Sequence, residues 1–218
     1  MIHNPLLSDL TEVRDDRWCW PIYDKESYPI QIQDTSLYDH IAPFLKNKHV
    51  MVQAGGNCGV MLEKFVLNFE TVYTFEPDPL NFYCLNVNLP YSNLIKFQAC
   101  VGNDNRLVAL NNGYSTDIQD VGAIHINERF PQGNVPTVKI DSLNLYQCDL
   151  IQLDTEGFEY FALQGAVDTI KKYHPVLCVE MNPHWAKRYG ASITQCENFI
   201  LDMGYKLKAT HLEDRIYA

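Results

Sequence analysis

The spacing of hydrophobic residues predicts alternating strands and helices in the first half of the chain. Met61, Phe65 and Phe69 recur at every fourth position and predict a helix over 60–69, and a second helix is predicted over 80–88. Apolar or β-branched runs bounded by turn residues predict three strands, over 49–54, 71–75 and 94–101. Strands that alternate with helices are typical of a parallel sheet built from βαβ units.

The second half resumes this alternation after a long interruption. Residues 102–136 are rich in glycine, asparagine and aspartate and are predicted to form a loop or hairpin insertion over the sheet edge. The later predicted strands are 149–153, 175–181, 205–209 and 215–217. The later predicted helices are 158–173, 185–189 and 194–203. The pattern therefore predicts an α/β fold with a seven-stranded, mostly parallel sheet that ends in an antiparallel hairpin.

The N-terminal residues fit this pattern poorly. Residues 1–36 are polar and aromatic with weak periodicity, and they predict an irregular cap. Residues 37–218 are predicted to form one domain that begins with a helix over 37–45. With 218 residues, 46% hydrophobic and 20% charged, the chain is large enough to bury a core without disulfides or a structural metal.

Composition and charge narrow the classes of partner. The net charge of −10 and the pI near 5.0 disfavour binding to a nucleic-acid backbone, which needs lysine and arginine. The seven cysteines stand singly, which favours a reduced, cytoplasmic compartment. The first ten residues lack the basic and apolar regions of a signal peptide, and no window approaches the roughly 18 apolar residues of a membrane span. We therefore expect a cytoplasmic protein that binds neither nucleic acid nor membrane.

A glycine-rich turn after the first predicted strand indicates a nucleotide-like ligand. Gly55, Gly56 and Gly59 lie where a strand passes into a helix, at the edge of the sheet where such ligands bind. The next strand ends at Glu76, 21 residues after Gly55, close to the spacing of about 20 residues at which a carboxylate accepts hydrogen bonds from ribose hydroxyls. The pair is far more specific than either feature alone.

The same turn disfavours dinucleotides and nucleoside triphosphates. A G-x-G-x-x-G fingerprint would need glycines at the positions that Asn57 and Val60 occupy. A phosphate-binding P-loop would need a lysine followed by serine or threonine at the helix start, and neither is present. The expected ligand therefore has a ribose but no pyrophosphate read by this loop.

Several motifs together resemble the FkbM family of methyltransferases. Residues 52–59 resemble the family's V-D-x-G-A-N-x-G motif, and residues 75–79 resemble its F-E-P-x-P segment. Residues 149–159 resemble the D-x-x-K-I-D-x-E-G-x-E signature, followed by Gly165-Ala166 and Val179-Glu180 at the family spacing. The resemblance spans about residues 34–182 and implies a Rossmann-like class I methyltransferase fold, S-adenosylmethionine as cofactor, and transfer of a methyl group to a hydroxyl of a small molecule or glycan.

The resemblance also implies a set of cofactor-binding residues. Ala99 and Cys100 end the third predicted strand, where methyltransferases of this fold usually bracket the adenine. Two positions depart from the family pattern: Gln53 replaces the usual aspartate and Gln152 the usual lysine, so charge attraction to the cofactor is lost there. The expected cofactor-binding residues are Gln53, Gly55, Gly56, Asn57, Gly59, Glu76, Pro77, Asp78, Ala99 and Cys100.

Three residues are candidates for catalysis. Asp154 and Glu156 follow the fourth main strand and are expected to face the same crevice as Glu76, where a carboxylate can hold the acceptor or take its proton. Their alternative role is to cap the helix that follows. His184 is a candidate general base because its ordinary pKa lies near neutrality, and a surface histidine at a helix start is the alternative.

Other possibilities stay open at this stage. Asp154, Glu180 and Asn182 supply oxygen ligands of the kind that Mg²⁺ or Ca²⁺ takes, although we expect no metal site. Three polar residues in the insertion are placed to border the acceptor: Tyr114, Ser115 and Thr116. The leading interpretation is O-methylation of a small metabolite or sugar; a catalytically silent cofactor binder and an NAD-type oxidoreductase are the alternatives.

Overall fold

A seven-stranded sheet forms the centre of the fold. The computed structural model describes residues 6–33, 35–111, 120–129 and 132–218. In chain order the strands are β1 (Thr11–Arg14), β2 (Trp18–Pro21), β3 (Val50–Ala54), β4 (Thr71–Phe75), β5 (Leu94–Phe97), β6 (Cys100–Val101), β7 (Leu107–Val108), β8 (Leu110–Asn111), β9 (His125–Ile126), β10 (Val135–Val138), β11 (Leu150–Leu153), β12 (Val176–Glu180), β13 (Leu207–His211) and β14 (Asp214–Tyr217). The helices are α1 (Ser27–Gln33), α2 (Leu37–Ile41), α3 (Glu63–Val66), α4 (Pro79–Asn88), α5 (Glu159–Gln164), α6 (Val167–Tyr173), α7 (Pro183–Ala186) and α8 (Ile193–Asp202).

The strand order confirms the predicted mostly parallel sheet with a C-terminal hairpin. The order is β5-β4-β3-β11-β12-β14-β13. The pairs from β5 to β12 are parallel, and β14 pairs antiparallel with both β12 and β13. The order reverses beside β3, so the carboxyl ends of β3 and β11 flank the crevice in which an open α/β sheet binds its ligand.

Burial on both faces explains why the central strands are continuous apolar runs. All five residues of β3 are buried, and its successive side chains point to opposite faces. Met51 packs in one core with Phe65 and Leu85, whereas Val52 packs in the other with Ile151. The sheet is therefore covered on both sides, and only its edges are open to a ligand.

The N-terminal segment is more regular than the sequence predicted. The strands β1 and β2 form an antiparallel hairpin, and α1 follows. Trp20 is completely buried and donates its indole N–H to the buried Asp24 (2.7 Å). The hairpin is joined to α4 because Asn88 accepts the N–H of Cys19 (2.7 Å). The division into a cap at 1–36 and a domain at 37–218 stays a prediction.

Three predicted elements are broken or shortened. The predicted strand 94–101 divides, because β5 belongs to the central sheet whereas β6 pairs with β10 in a separate small sheet. The predicted helix 158–173 is interrupted at Gly165, where an added Cβ would lie 1.9 Å from the carbonyl oxygen of Gly102. The predicted helix 60–69 contracts to α3.

Candidate active site

A cavity of about 540 Å³ opens at the carboxyl edge of the sheet, a size typical of small-molecule sites (~300–1,000 Å³). It extends from the glycine-rich turn after β3 to the β13–β14 hairpin. The sequence-predicted residues that line it are Gln53, Gly55, Gly56, Asn57, Glu76, Pro77, Ala99, Cys100, Asp154 and Glu156. Three other predicted residues, Gly59, Asp78 and His184, are not part of its lining.

The backbone N–H groups of the glycine-rich turn are already used within the protein. Gly55 and Gly56 both donate to the carbonyl oxygen of Phe75 (3.0 Å each). Asn57 donates its N–H to Oε2 of Glu76 (2.7 Å), and its side-chain oxygen accepts the N–H that follows (2.6 Å). The turn therefore does not present these N–H groups to a phosphate, which agrees with the missing dinucleotide fingerprint.

Close packing around the turn requires glycine at two positions. Gly55 has a φ of +93°, and an added Cβ would lie 1.9 Å from the carbonyl oxygen of Asp154. At Gly56 it would lie 2.7 Å from the hydroxyl of Thr74. Gly59 is packed against a helix instead of a strand end, because an added Cβ would lie 2.9 Å from the side chain of Leu85 on α4.

Glu76 is a buried carboxylate held in place by the backbone. It is 5% exposed, and each of its oxygens accepts one N–H, from Asn57 (2.7 Å) and from Asp78 (2.9 Å). Burial is the main reason that its pKa rises to about 8. Asp78 accepts the N–H groups of Leu80 and Asn81 and so caps α4. Its contribution is to fix the backbone that holds Glu76.

The two glutamines that depart from the family pattern are direct neighbours. Gln53 on β3 and Gln152 on β11 are paired in the sheet register, and both are buried in the cavity lining. Gln53 accepts a hydrogen bond from the hydroxyl of Thr74. The floor of the cavity is thus polar but uncharged at these two positions.

A buried acid supports the turn that carries Asp154 and Glu156. Oε1 of Glu159 accepts the N–H and the hydroxyl of Thr155 (2.8 and 2.9 Å) and the N–H of Gly157 (3.2 Å). Glu156 adopts the left-handed φ of +56°, which is uncommon for a residue with a side chain. The sequence motif contained Glu159, but its supporting role was not predicted, because only the folded turn brings those donors to one oxygen.

Five carboxyl groups line the part of the cavity that β11, β12 and the β13–β14 hairpin form. They come from the end of β11, the end of β12 and the β13–β14 hairpin. We call them the acidic wall: Asp154, Glu156, Glu180, Glu213 and Asp214. The last two were missed by sequence reasoning, since nothing local marks a hairpin as part of a site.

Burial and mutual repulsion raise the pKa values of Asp154, Glu156 and Glu180. Asp154 is open to the cavity but surrounded by protein, and burial followed by the charges of Asp214 and Glu159 raises its pKa to about 8. Burial followed by the charge of Asp154 raises the pKa of Glu156 to about 9 and that of Glu180 to about 11. These carboxyl groups therefore hold protons at pH values where an exposed acid would be ionised.

Two histidines that the sequence analysis did not select line the cavity, namely His125 and His211. The selected histidine, His184, is exposed, and its ring lies 4.7 Å from that of Trp185, which does line the cavity. His125 lines the cavity, but both of its ring nitrogens are hydrogen-bonded, to a carbonyl oxygen and to an asparagine amide. His211 also lines it and stacks on His40, with 4.1 Å between the ring centroids. The candidate base at His184 stays a prediction without a cavity contact.

Residues 120–126 line the cavity, and hydrogen bonds to Val121 hold this segment against the glycine-rich turn and α4. The carbonyl oxygen of Val121 accepts the side-chain amides of Asn57 (3.3 Å) and Asn81 (2.9 Å). Its N–H donates to the buried Asp24 of the N-terminal segment (3.2 Å). Tyr114, Ser115 and Thr116, expected near the acceptor, lie outside the described residues.

Metal-binding clusters and membrane-spanning helices are both absent from the described part of the chain. There, no group of three or more His, Cys, Asp or Glu side chains is arranged to hold a metal ion. The oxygen of the Asn182 side chain, a ligand considered above, accepts the N–H groups of His184 and Trp185 at the start of α7. No helix within the described residues has both the length and the apolar character needed to cross a bilayer.

Comparison with known proteins gives one family match. The sequence model described as "Methyltransferase FkbM domain" matches residues 54–207, which is more than half of the chain. None of the curated proteins matches significantly.

Solved structures share the fold. A methyltransferase FkbM from Methylobacillus flagellatus KT superposes with a TM-score of 0.59 and 19% identity over 84% of this chain and 47% of that one, so the chain spans about half the length of that protein. This match shows the Rossmann-like class I methyltransferase fold. Precorrin-6y C5,15-methyltransferase from Geobacter metallireducens GS-15 (TM-score 0.48, 11% identity, 95% of this chain, 97% of that one) and magnesium protoporphyrin IX methyltransferase from Synechocystis PCC 6803 (0.48, 13%, 87%, 78%) align more weakly.

Proposed function

The chain belongs to the FkbM family of methyltransferases, and on that premise we propose that it transfers a methyl group to a hydroxyl of a small metabolite or sugar. Its cofactor is S-adenosylmethionine. The observation that carries the proposal is that one cavity is lined by the buried Glu76 carboxylate together with Asp154 and Glu156. A donor and an acceptor can therefore meet within a single enclosed space.

The residues around Glu76 fit an adenosine-bearing cofactor. Each oxygen of Glu76 uses one lone pair on a backbone N–H, which leaves another to accept a ribose hydroxyl. Ala99 and Cys100 present a buried apolar surface that suits a purine. Glycine at position 55 lets the turn pass directly against the backbone of Asp154, which brings the two strand ends together beside the cavity.

The turn after β11 supplies the groups that the acceptor needs. S-adenosylmethionine supplies an electrophilic methyl group, so the protein mainly aligns the acceptor oxygen with it and removes a proton. We assign acceptor binding or proton removal to Asp154, whose pKa of about 8 lies near the operating pH that favours a general base. Glu156 is placed on the same turn to hold the acceptor, and Glu159 fixes that turn from below.

Calorimetry with S-adenosylhomocysteine and with NAD tests the cofactor half of the proposal. The protein should bind S-adenosylhomocysteine and not NAD, because Glu76 offers one ribose site and the N–H groups of the glycine-rich turn are engaged elsewhere. Tighter binding of NAD would refute it.

Release of S-adenosylhomocysteine in the presence of hydroxyl compounds tests the transferase half. The panel should include monosaccharides, amino sugars and cyclic diols, with Asp154→Asn as the control for background turnover. Turnover that depends on both the acceptor and Asp154 is the expected result. Cofactor binding without turnover on any member would instead favour a silent binder, in keeping with the uncharged pair Gln53 and Gln152.

A further inference from the structure

The charge of the cavity lining is one-sided. Among the described residues the lining contains no lysine or arginine. Residues 112–119, outside the described part, also contain neither in the sequence. The lining carboxyl groups are Glu76, Asp120 and the five members of the acidic wall. An acceptor with a phosphate or carboxylate group would meet repulsion without any lysine or arginine to offset it.

Two carboxyl groups in this lining have a buried oxygen without a partner, unlike Glu76, Asp120 and Glu213. Glu76 accepts two backbone N–H groups, Asp120 accepts the N–H of Gly122 (2.8 Å), and Glu213 accepts the amide of Asn182 (2.8 Å). By contrast, the Oε2 atoms of two glutamates are buried and have no hydrogen-bond partner within the protein. These glutamates are Glu156 and Glu180. A buried carboxyl oxygen without a hydrogen-bond partner is unfavourable, and a ligand that supplies donors and a positive charge would both pair these oxygens and favour their ionised form.

The position of Glu180 separates it from the cofactor. It ends β12, and β12 lies two strands from β3, which carries the glycine-rich turn. Neighbouring strands are about 4.8 Å apart, so the end of β12 lies roughly 10 Å along the sheet from that turn. A cofactor held at the glycine-rich turn, as proposed above, would leave Glu180 for the acceptor.

We propose that the acceptor carries an ammonium group, held by Glu156 and Glu180 next to the hydroxyl that is methylated. Such a molecule is an amino sugar or an amino alcohol. This inference rests on the proposed transferase function and specifies its substrate class. An ammonium supplies up to three donors and a positive charge, which suits two unpartnered carboxylates. A bound metal ion fits less well, because the described residues contain no cluster with ligand geometry.

Arg188, which contacts the backbone of Glu156, does not neutralise the two glutamates. Arg188 donates to the backbone carbonyl of Glu156 (3.1 Å), and its guanidinium stacks on the ring of Trp185 at 4.7 Å. It lowers the pKa of Glu156 only as a minor contribution against burial and the charges of Asp154 and Glu159. An ammonium bound between the carboxylates would lower the pKa values of Glu156 and Glu180, so binding should release protons.

Matched pairs of amine and neutral probes test the proposal on the complex with S-adenosylhomocysteine. The pairs are glucosamine with glucose, and trans-2-aminocyclohexanol with trans-1,2-cyclohexanediol. Calorimetry should show that the amine of at least one pair binds about tenfold or more tightly than its neutral partner, the factor for one charge-assisted hydrogen bond. Repeating the titration in buffers of different ionisation enthalpy should show proton release for the amine alone.

Three variants connect the preference to the site. Glu156→Gln and Glu180→Gln keep size and hydrogen-bonding capacity, and each should reduce the amine preference to near unity. Glu70→Gln is the matched control, because Glu70 is exposed and directly precedes β4, at the opposite edge of the sheet. A melting curve for each variant confirms folding, and the two glutamates give independent tests.

The outcomes separate this inference from the proposed function. Neutral probes that bind as tightly as amines, no binding by either amine in the millimolar range, or a preference that survives both glutamine variants would each overturn the ammonium site. Failure to bind S-adenosylhomocysteine would instead overturn the proposed function. Binding of S-adenosylhomocysteine without amine selectivity leaves the transferase intact and removes only the substrate class.

Discussion

Glu76→Gln is the sharpest test of the cofactor site, because the structure specifies what the substitution removes. The wild-type carboxylate accepts one N–H on each oxygen, from Asn57 at 2.7 Å and from Asp78 at 2.9 Å. An amide has the same shape but only one acceptor oxygen. Its NH₂ group must therefore face one of the two backbone N–H groups, and donor meets donor.

Two effects of this substitution follow, and they are measured separately. At a pH above the Glu76 pKa of about 8, where the acceptor is charged, loss of a hydrogen bond from a ribose hydroxyl costs about 1.5–3 kcal/mol, so the Kd for S-adenosylhomocysteine should rise roughly 10- to 150-fold. One unpaired buried N–H costs about 1–3 kcal/mol, and in a protein of this size the Tm should fall by roughly 2–12 °C. Glu76→Ala should weaken binding at least as much, and it removes the acceptor of both backbone N–H groups, those of Asn57 and Asp78.

The assay is calorimetric titration of S-adenosylhomocysteine below the Tm of every variant, with melting curves from the same preparations. Glu70→Gln serves as the control, since it removes one exposed carboxylate at the opposite edge of the sheet. A Kd for Glu76→Gln within twofold of wild type, together with a lowered Tm, would show that Glu76 only braces the turn. That result would refute the assignment of Glu76 to the ribose.

Three further predictions concern the candidate bases, the turn after β11 and the raised pKa values of the acidic wall's glutamates and Asp154. Asp154→Asn should lower methyl transfer by about 10²- to 10⁴-fold with little change in cofactor Kd. His184→Ala should retain activity, because His184 is exposed and lies outside the cavity lining. The opposite pattern in steady-state kinetics would exchange the roles of the two residues. Gly157→Ala should destabilise the fold by at least about 1–3 kcal/mol, because its φ is +101° and the new Cβ would lie 2.3 Å from the carbonyl oxygen of Trp185; an unchanged Tm would contradict this. The folded pKa values of Asp154, Glu156 and Glu180, about 8 to 11, exceed those of the unfolded chain, so the folded state binds more protons above about pH 4.5. The ligand-free Tm should therefore fall as pH rises from about 5 to 9, with a smaller slope in Glu180→Gln. A Tm that rises over this range would count against the raised pKa values.

Local sequence pattern predicted the fold and the part of the cavity beside the glycine-rich turn. The apolar runs at β3, β11 and β12 are buried on both faces, and such runs are recognisable without knowing their partners. The glycine-rich turn and Glu76 were also predictable, because a short strand, a turn and the next strand end place them within one βαβ unit.

Tertiary structure decided the hairpin side of the site and the contacts of each predicted residue. Glu213 and Asp214 reach the cavity only because β14 inserts between β12 and β13, a pairing that no local pattern encodes. Gly59 and Asp78, predicted from their place in a motif to bind the cofactor, stay predictions; the fold shows that Gly59 packs against α4 and that Asp78 caps it. The physical reason is range: propensity and periodicity act over a few residues, but burial, repulsion between carboxylates and the shape of a cavity depend on segments brought together from distant parts of the chain.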